Sequence, residues 1–145
     1  MQEYFNSSMK RFNYLISELD NTYHELSQKL GLSDSAMMIL YTICNFGESC
    51  LLSDILKLSG ASKQTISSAL RKLEADGIVY LESFSGKKKM VFLTEKGKLI
   101  TKKTVSRLIT FENEALSTFS EQEQELYFVL TERFLSVLKK KAATL

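Results

Sequence analysis

The sequence predicts a mostly α protein of the α+β class carrying one β-hairpin, and three observations predict it. Apolar residues recur at helical spacing through most of the 145 residues. After Gly77 the period switches to two, in the β-branched and aromatic runs IVYLES and KMVFL. Positive charge gathers around that hairpin. Residues 62–107 hold eleven Lys/Arg against four Asp/Glu, while 1–61 hold four against seven and 108–145 four against six. The overall charge of +2 conceals this distribution, and a local basic patch is the electrostatic footprint of a polyanion binder.

Composition excludes several classes. With 44% apolar and 25% charged residues the chain is ordinary globular material, and at this length a fold buries roughly 68–70% of the unfolded surface without staples. No apolar run approaches the ~18–20 residues that cross a bilayer. The opening MQEYFNSSMKRF has no apolar signal-peptide core, so a cytoplasmic location is expected, with no membrane partner. The absence of proline excludes PxxP ligands. One histidine and two cysteines are too few for most metal sites or a His-dependent triad. There is no G-x-S-x-G, H-E-x-x-H, Walker A or G-x-G-x-x-G. No catalytic residue, metal or cofactor is expected, and the chain does not read as an enzyme.

The elements follow in order. Phe5, Met9, Phe12, Ile16, Leu19, Tyr23, Leu26 and Leu30 alternate steps of four and three, which places them on one narrow face of a helix that Gly31 ends. A seam of this kind at a chain terminus calls for a second helix to cover it. Ser33 caps a helix over 34–46, with Met37, Met38, Leu40, Tyr41 and Ile43 as its apolar positions. A short helix at about Leu52–Leu58 ends at Ser59-Gly60, and Ser62 caps SKQTISSALRKLEAD, which Gly77 stops. Ile66, Ala69, Leu70 and Leu73 form the inner face of that helix. FSGKK turns the hairpin and gives it a lysine-rich tip. From Thr94 one long helix is expected, with Ile100, Thr104, Leu108, Phe111, Ala115 and Phe119 on one side. Ser120-Glu121-Gln122-Glu123 is a capping box for a last helix, which carries Leu126, Leu130, Phe134 and Leu138 toward Lys139-Lys140-Lys141.

Helix, turn, helix and basic hairpin in this order describe a winged helix-turn-helix, whose second helix enters the DNA major groove. The outward face of the Ser62-capped helix offers Ser62, Lys63, Gln64, Thr65, Ser67, Ser68, Arg71 and Lys72, with no carboxylate before Glu74. Small hydroxyl side chains allow close approach to phosphates, while Gln64 and Arg71 have the chemistry to read base edges. With Lys87, Lys88 and Lys89 of the hairpin these are the candidate DNA-binding residues. The alternative is a winged helix that binds proteins, which has no need of a cationic recognition face.

From Gly31 to Gly97 the chain resembles the MarR family of bacterial transcription regulators. The resemblance rests on GLSDSAMMILYTI, LLSDILKLSGASKQTISSALRKLEADGIV and VFLTEKG, where Leu93-Thr94-Glu95-Lys96-Gly97 stands at the family's L-T-x-x-G position. It implies one subunit over 1–145, with a winged DNA-binding lobe at 32–97 and a helical dimerisation region at 1–31 and 98–145. It further implies a homodimer on a pseudo-palindromic double-stranded operator, built through Phe5, Met9, Phe12, Ile16, Leu19, Leu126, Leu130, Phe134 and Leu138, and acting as a repressor that answers to a small-molecule effector. Tyr4, Tyr14, Tyr23 and Tyr41 are expected as core or interface aromatics, with the lining of such an effector site as the alternative. The wing departs from the family: Ser85-Gly86-Lys87 stands where an Asp-x-Arg is common. A flexible ammonium replaces a planar fork, so the wing is expected to add affinity more than specificity. Some relatives sense peroxide through a cysteine near the N-terminus, but the first cysteine here is Cys44. Cys44 is expected to pack in the second helix, Cys50 to lie in a turn, and His24 to be half-buried beside the seam.

Overall fold

The computed structural model describes residues 6–145, so Tyr4 and Phe5 lie outside the described residues. The elements are α1 (Ser7–Lys29), α2 (Asp34–Asn45), β1 (Ser49–Leu51), α3 (Leu52–Ser59), α4 (Lys63–Ala75), β2 (Val79–Ser85), β3 (Lys88–Leu93), α5 (Glu95–Lys103), α6 (Val105–Ser117) and α7 (Glu121–Ala142). They fall into two compact units, Met1–Arg107 and Leu108–Leu145.

In the first unit the caps behave as their chemistry requires. The Ser33 side chain accepts from the Ala36 amide at 3.1 Å and opens α2. Leu30 and Gly31 close α1, with the Gly31 amide donating to Gln28 O and the Leu32 amide to Ser27 O; Gly31 adopts φ 75°, the left-handed conformation that glycine takes without strain. The core is built from Ile39, Leu40 and Ile43 of α2, Ile55 of α3, Ile66, Leu70 and Leu73 of α4, and Val79 and Val91 of the sheet. Ile39, which the sequence pattern passed over, is fully buried, while Met38 is 36% exposed and Tyr41 half-buried. Only the C-terminal end of α1 is covered: Leu26 and Leu30 are half-buried and Ser27 is buried, its hydroxyl donating to Tyr23 O at 3.1 Å.

Three expectations are corrected here. The sheet has three antiparallel strands in the order β1-β3-β2, rather than the hairpin alone. Cys50 therefore lies in β1, opposite Val91, and not in a turn. The helix after Thr94 is not continuous. It breaks at Thr104, whose φ −122° and ψ −84° separate α5 from α6, and Phe119 falls beyond the end of α6. Thr101 and Thr104 turn their hydroxyls back onto the carbonyls of Lys98 and Ile100, at 3.0 and 2.8 Å; such bonds compete with the helical ladder and bend it. In the single chain His24 is exposed, with Nδ1 2.7 Å from Asp34 Oδ2 at the start of α2.

In the second unit α7 begins in a complete capping box. The Ser120 side chain accepts from the Glu123 amide at 3.1 Å and the Glu123 carboxylate from the Ser120 amide at 2.8 Å. Gln124 Nε2 donates to Leu116 O and Phe119 O and so fixes the loop between α6 and α7. No residue of α7 is buried, although Leu126, Leu130, Phe134 and Leu138 recur along it.

Candidate nucleic-acid interface

α4 is the helix that an interface would use, and its two ends explain how it is held. At its start the Ser62 hydroxyl accepts from the Thr65 amide at 3.1 Å and shares a 2.8 Å hydrogen bond with the Thr65 hydroxyl. These two groups keep oxygen lone pairs for an outside donor, but their first duty is to cap. The first turn holds no carboxylate, so nothing local opposes an anion approaching the positive end of the helix dipole. Ile66, Leu70 and Leu73 are buried beneath the helix, which turns Lys63, Gln64, Ser68, Arg71 and Lys72 outward, all exposed. Ser67 is half-buried, at the margin of the outward face on which the sequence placed it.

At its other end α4 meets the wing and α5 in one junction. Gly77 turns the chain at φ 71°, and Thr94 then bridges three elements. Its hydroxyl donates to Gly77 O at 2.6 Å and to Ile78 O at 3.1 Å, its amide donates to Ile78 O at 3.1 Å, and the hydroxyl oxygen accepts from the Gly97 amide at 2.9 Å. A Cβ at Gly97 would overlap the Ile78 carbonyl oxygen and sit 3.1 Å from its carbon. The Leu-Thr-x-x-Gly pattern thus has a physical reading: Thr94 supplies the cap and the cross-link, and Gly97 the room for both. Lys96, which the sequence did not single out, donates from Nζ to Asp76 O at 2.7 Å and satisfies a free carbonyl at the end of α4. Nothing in its sequence position distinguishes it from the neighbouring lysines.

The wing itself is β2 and β3 joined through Gly86 at φ 58°. Tyr80 and Phe92 stack across it at 5.0 Å between ring centres. Lys87, Lys88 and Lys89 are exposed at and beside the tip. Lys98 is differently placed: Glu48 at 3.1 Å and Glu95 at 3.0 Å hold it, raising its pKa chiefly through those hydrogen bonds. That pairing ties α5 to the chain just before β1 and leaves Lys98 less available to a polyanion than the tip lysines.

The two thiols are structural in setting. Cys44 is half-buried, and burial raises its pKa against the opposing hydrogen bond with Thr101. Burial, followed by the Asp54 carboxylate, pushes the Cys50 thiol up to about 11. Thiolates are the reactive form, so both are poor redox sensors at neutral pH. Among the described residues no group of three His, Cys, Asp or Glu could hold a metal ion, and no helix is long and apolar enough to cross a membrane.

Comparison with known proteins agrees with this geometry. The model of the MarR family matches residues 30–89, from the end of α1 to the wing tip. No curated protein sequence matches the chain. Among solved structures, a MarR family regulator from Neisseria meningitidis superposes with a TM-score of 0.83 at 19% identity, covering 95% of this chain and 98% of its own. The S. aureus MepR structure, solved in complex with DNA, gives 0.67 at 22% identity, over 92% and 98%. BpsR of Bordetella bronchiseptica, whose DNA binding is regulated by 6-hydroxynicotinic acid, gives 0.59 at 17% identity, over 87% and 98%. At these identities the structures establish the fold, and the family match is confined to the winged segment. Over residues 30–89 the chain thus matches the MarR family in sequence, and in fold it resembles the solved MarR family regulators.

Proposed function

We propose that the protein is a homodimeric regulator of transcription that binds double-stranded DNA sequence-specifically, and that it acts as a repressor released by a small-molecule effector. The observation that carries the reading is the outward face of α4. Lys63, Gln64, Ser68, Arg71 and Lys72 stand exposed on it without an intervening carboxylate, in the same lobe as the lysine tip of the wing. In this role α4 lies in the major groove, Gln64 and Arg71 read base edges, and Ser62, Lys63, Thr65, Ser67, Ser68 and Lys72 meet the phosphate backbone. Lys87, Lys88 and Lys89 add phosphate contacts from the wing. MepR in its DNA complex supports the partner, and BpsR with 6-hydroxynicotinic acid supports a small aromatic acid as the class of effector.

The dimer is supported by exposed apolar surface. Met9, Phe12, Ile16 and Leu19 of α1 are 38–48% exposed, and Leu126, Leu130, Phe134 and Leu138 of α7 41–57%. Contiguous apolar faces of this length mark interaction sites. A two-fold partner copy would present the same faces in return, and its two α4 helices would read the two halves of a palindrome.

The test combines three measurements on the full chain: sedimentation equilibrium, retention on heparin, and selection of duplexes from a random pool. A dimer that selects a palindromic site is the expected result. A monomer, or a dimer that neither binds heparin nor enriches any duplex, refutes the proposal and favours a protein-binding winged helix.

A further inference from the structure

Phe84 stands apart from the other wing aromatics. Tyr80 and Phe92 cover one another by stacking, whereas Phe84 is 62% exposed. The register gives the reason. Ser83 pairs with Lys89 and Ser85 with Lys88, so Phe84 is an extra residue on β2 with no Cα partner on β3. A bulge of this kind bends the strand and re-aims the side chain it carries. Because β2 is an edge strand, no further strand among the described residues covers that side.

The surroundings decide what could cover the ring. Lys87, Lys88 and Lys89 are exposed within a few residues of it, and Glu82 is the only carboxylate on the two strands. An apolar protein surface would strip water from three ammonium groups and return no countercharge. A second copy pairing along the edge of β2 would bring the same cations together. A DNA duplex satisfies both needs at once. Its phosphates meet the ammonium groups, and between successive phosphates it presents the apolar faces of the deoxyribose rings. We propose that Phe84 is a DNA contact, its ring packed on deoxyribose beside the phosphates engaged by the wing lysines. The proposal rests on the DNA-binding reading above and adds a short-range apolar contact to the long-range pull of the lysines. Every nucleotide carries the same sugar, so the contact strengthens binding without reading sequence.

The chain has no tryptophan, so Phe84→Trp installs a single fluorophore at the site in question. Its quenching by acrylamide is measured with and without random-sequence duplex DNA at low salt, while the anisotropy of a labelled duplex reports binding independently. DNA is expected to protect the indole several-fold. Phe84→Ala should weaken binding about tenfold, as expected for uncovering part of a phenyl ring, with an unchanged salt slope, since no charge is removed. Phe84→Leu should recover part of the loss. Unaltered quenching on a duplex that anisotropy shows to be bound overturns the proposal and leaves the DNA-binding reading standing. Protection without DNA that grows with protein concentration also overturns it, in favour of a second copy at the edge. A wild-type chain that binds no duplex overturns both.

Discussion

Gly97→Ala probes the junction that sets α4 against the wing. The added methyl group would overlap the Ile78 carbonyl oxygen, sit 3.1 Å from the carbonyl carbon and 3.3 Å from Leu93 Cδ2. The neighbour that must yield is backbone, and it is pinned: Ile78 O accepts from the Thr94 amide and hydroxyl, both at 3.1 Å. Moving it weakens those two hydrogen bonds and the 2.9 Å bond from the Gly97 amide to Thr94. Two or three hydrogen bonds at about 1 kcal/mol each, together with overpacking of about 1–3 kcal/mol, oppose a helix-propensity gain of about 1 kcal/mol for alanine over glycine. The net loss is about 2–5 kcal/mol, which lowers Tm by roughly 7–16 °C in a chain of this size. The assay is thermal unfolding by far-ultraviolet circular dichroism at one fixed protein concentration, because self-association makes Tm depend on concentration. Lys102→Ala, an exposed change in the last turn of the same helix, serves as control. A loss below about 1 kcal/mol for Gly97→Ala would show that the junction is not sterically closed.

Three further outcomes are expected. Gln64→Ala and Arg71→Ala should each cost about 1–3 kcal/mol on a selected duplex and little on random DNA; equal losses on both would reassign the two residues to phosphate contacts. Strand alternation lets about two of Lys87, Lys88 and Lys89 reach the duplex from each subunit of the proposed dimer, so replacing all three by glutamine removes about four phosphate contacts and flattens log K against log[salt] by about three to four units; an unaltered slope would exclude the wing as an electrostatic anchor. The Cys50 thiol, raised from 9.0 to about 11 in the fold, favours the folded chain while protonated. That contribution is complete below pH 9 and is lost as pH rises through about 11. Chemical denaturation across that range should show a steeper loss of stability for the wild type than for Cys50→Ala, and matching profiles would refute the assignment.

Much of this architecture was legible because its punctuation is local. Ser33, Ser62, Thr94 and Ser120 are caps whose hydrogen bonds span three residues, and Gly31 and Gly77 are stops defined by a single φ. Features decided at a distance were not legible. Ser49–Leu51 is three residues of weak local preference, made a strand by pairing with β3. The Thr104 break leaves the apolar period intact and arises from hydroxyl competition that periodicity does not register. His24 meets Asp34 across a helix end, a contact that exists only once α1 and α2 have docked. The candidate interface was read through composition: the lysines and hydroxyls of α4 were visible, whereas Lys96 and the bulge at Phe84 depend on tertiary geometry.

The central place of β3 has a consequence for the order in which the lobe assembles and opens. β3 can pair with β2 as soon as the tip turn closes, but β1 reaches it only across a chain segment that contains α3 and α4. The local hairpin is therefore the early event, and docking of β1 the late one that carries the larger loop-closure entropy. Amide hydrogen exchange should retain this order in the native state. The amides of Met90–Leu93, in the strand bonded on both sides, exchange only through opening of the whole lobe, while those around Gly86 exchange through fluctuations of the tip alone. The wing then combines a rigid root with a pliant end, so the tip can follow the contour of a bound surface while the root and the junction at Thr94 hold α4 in register.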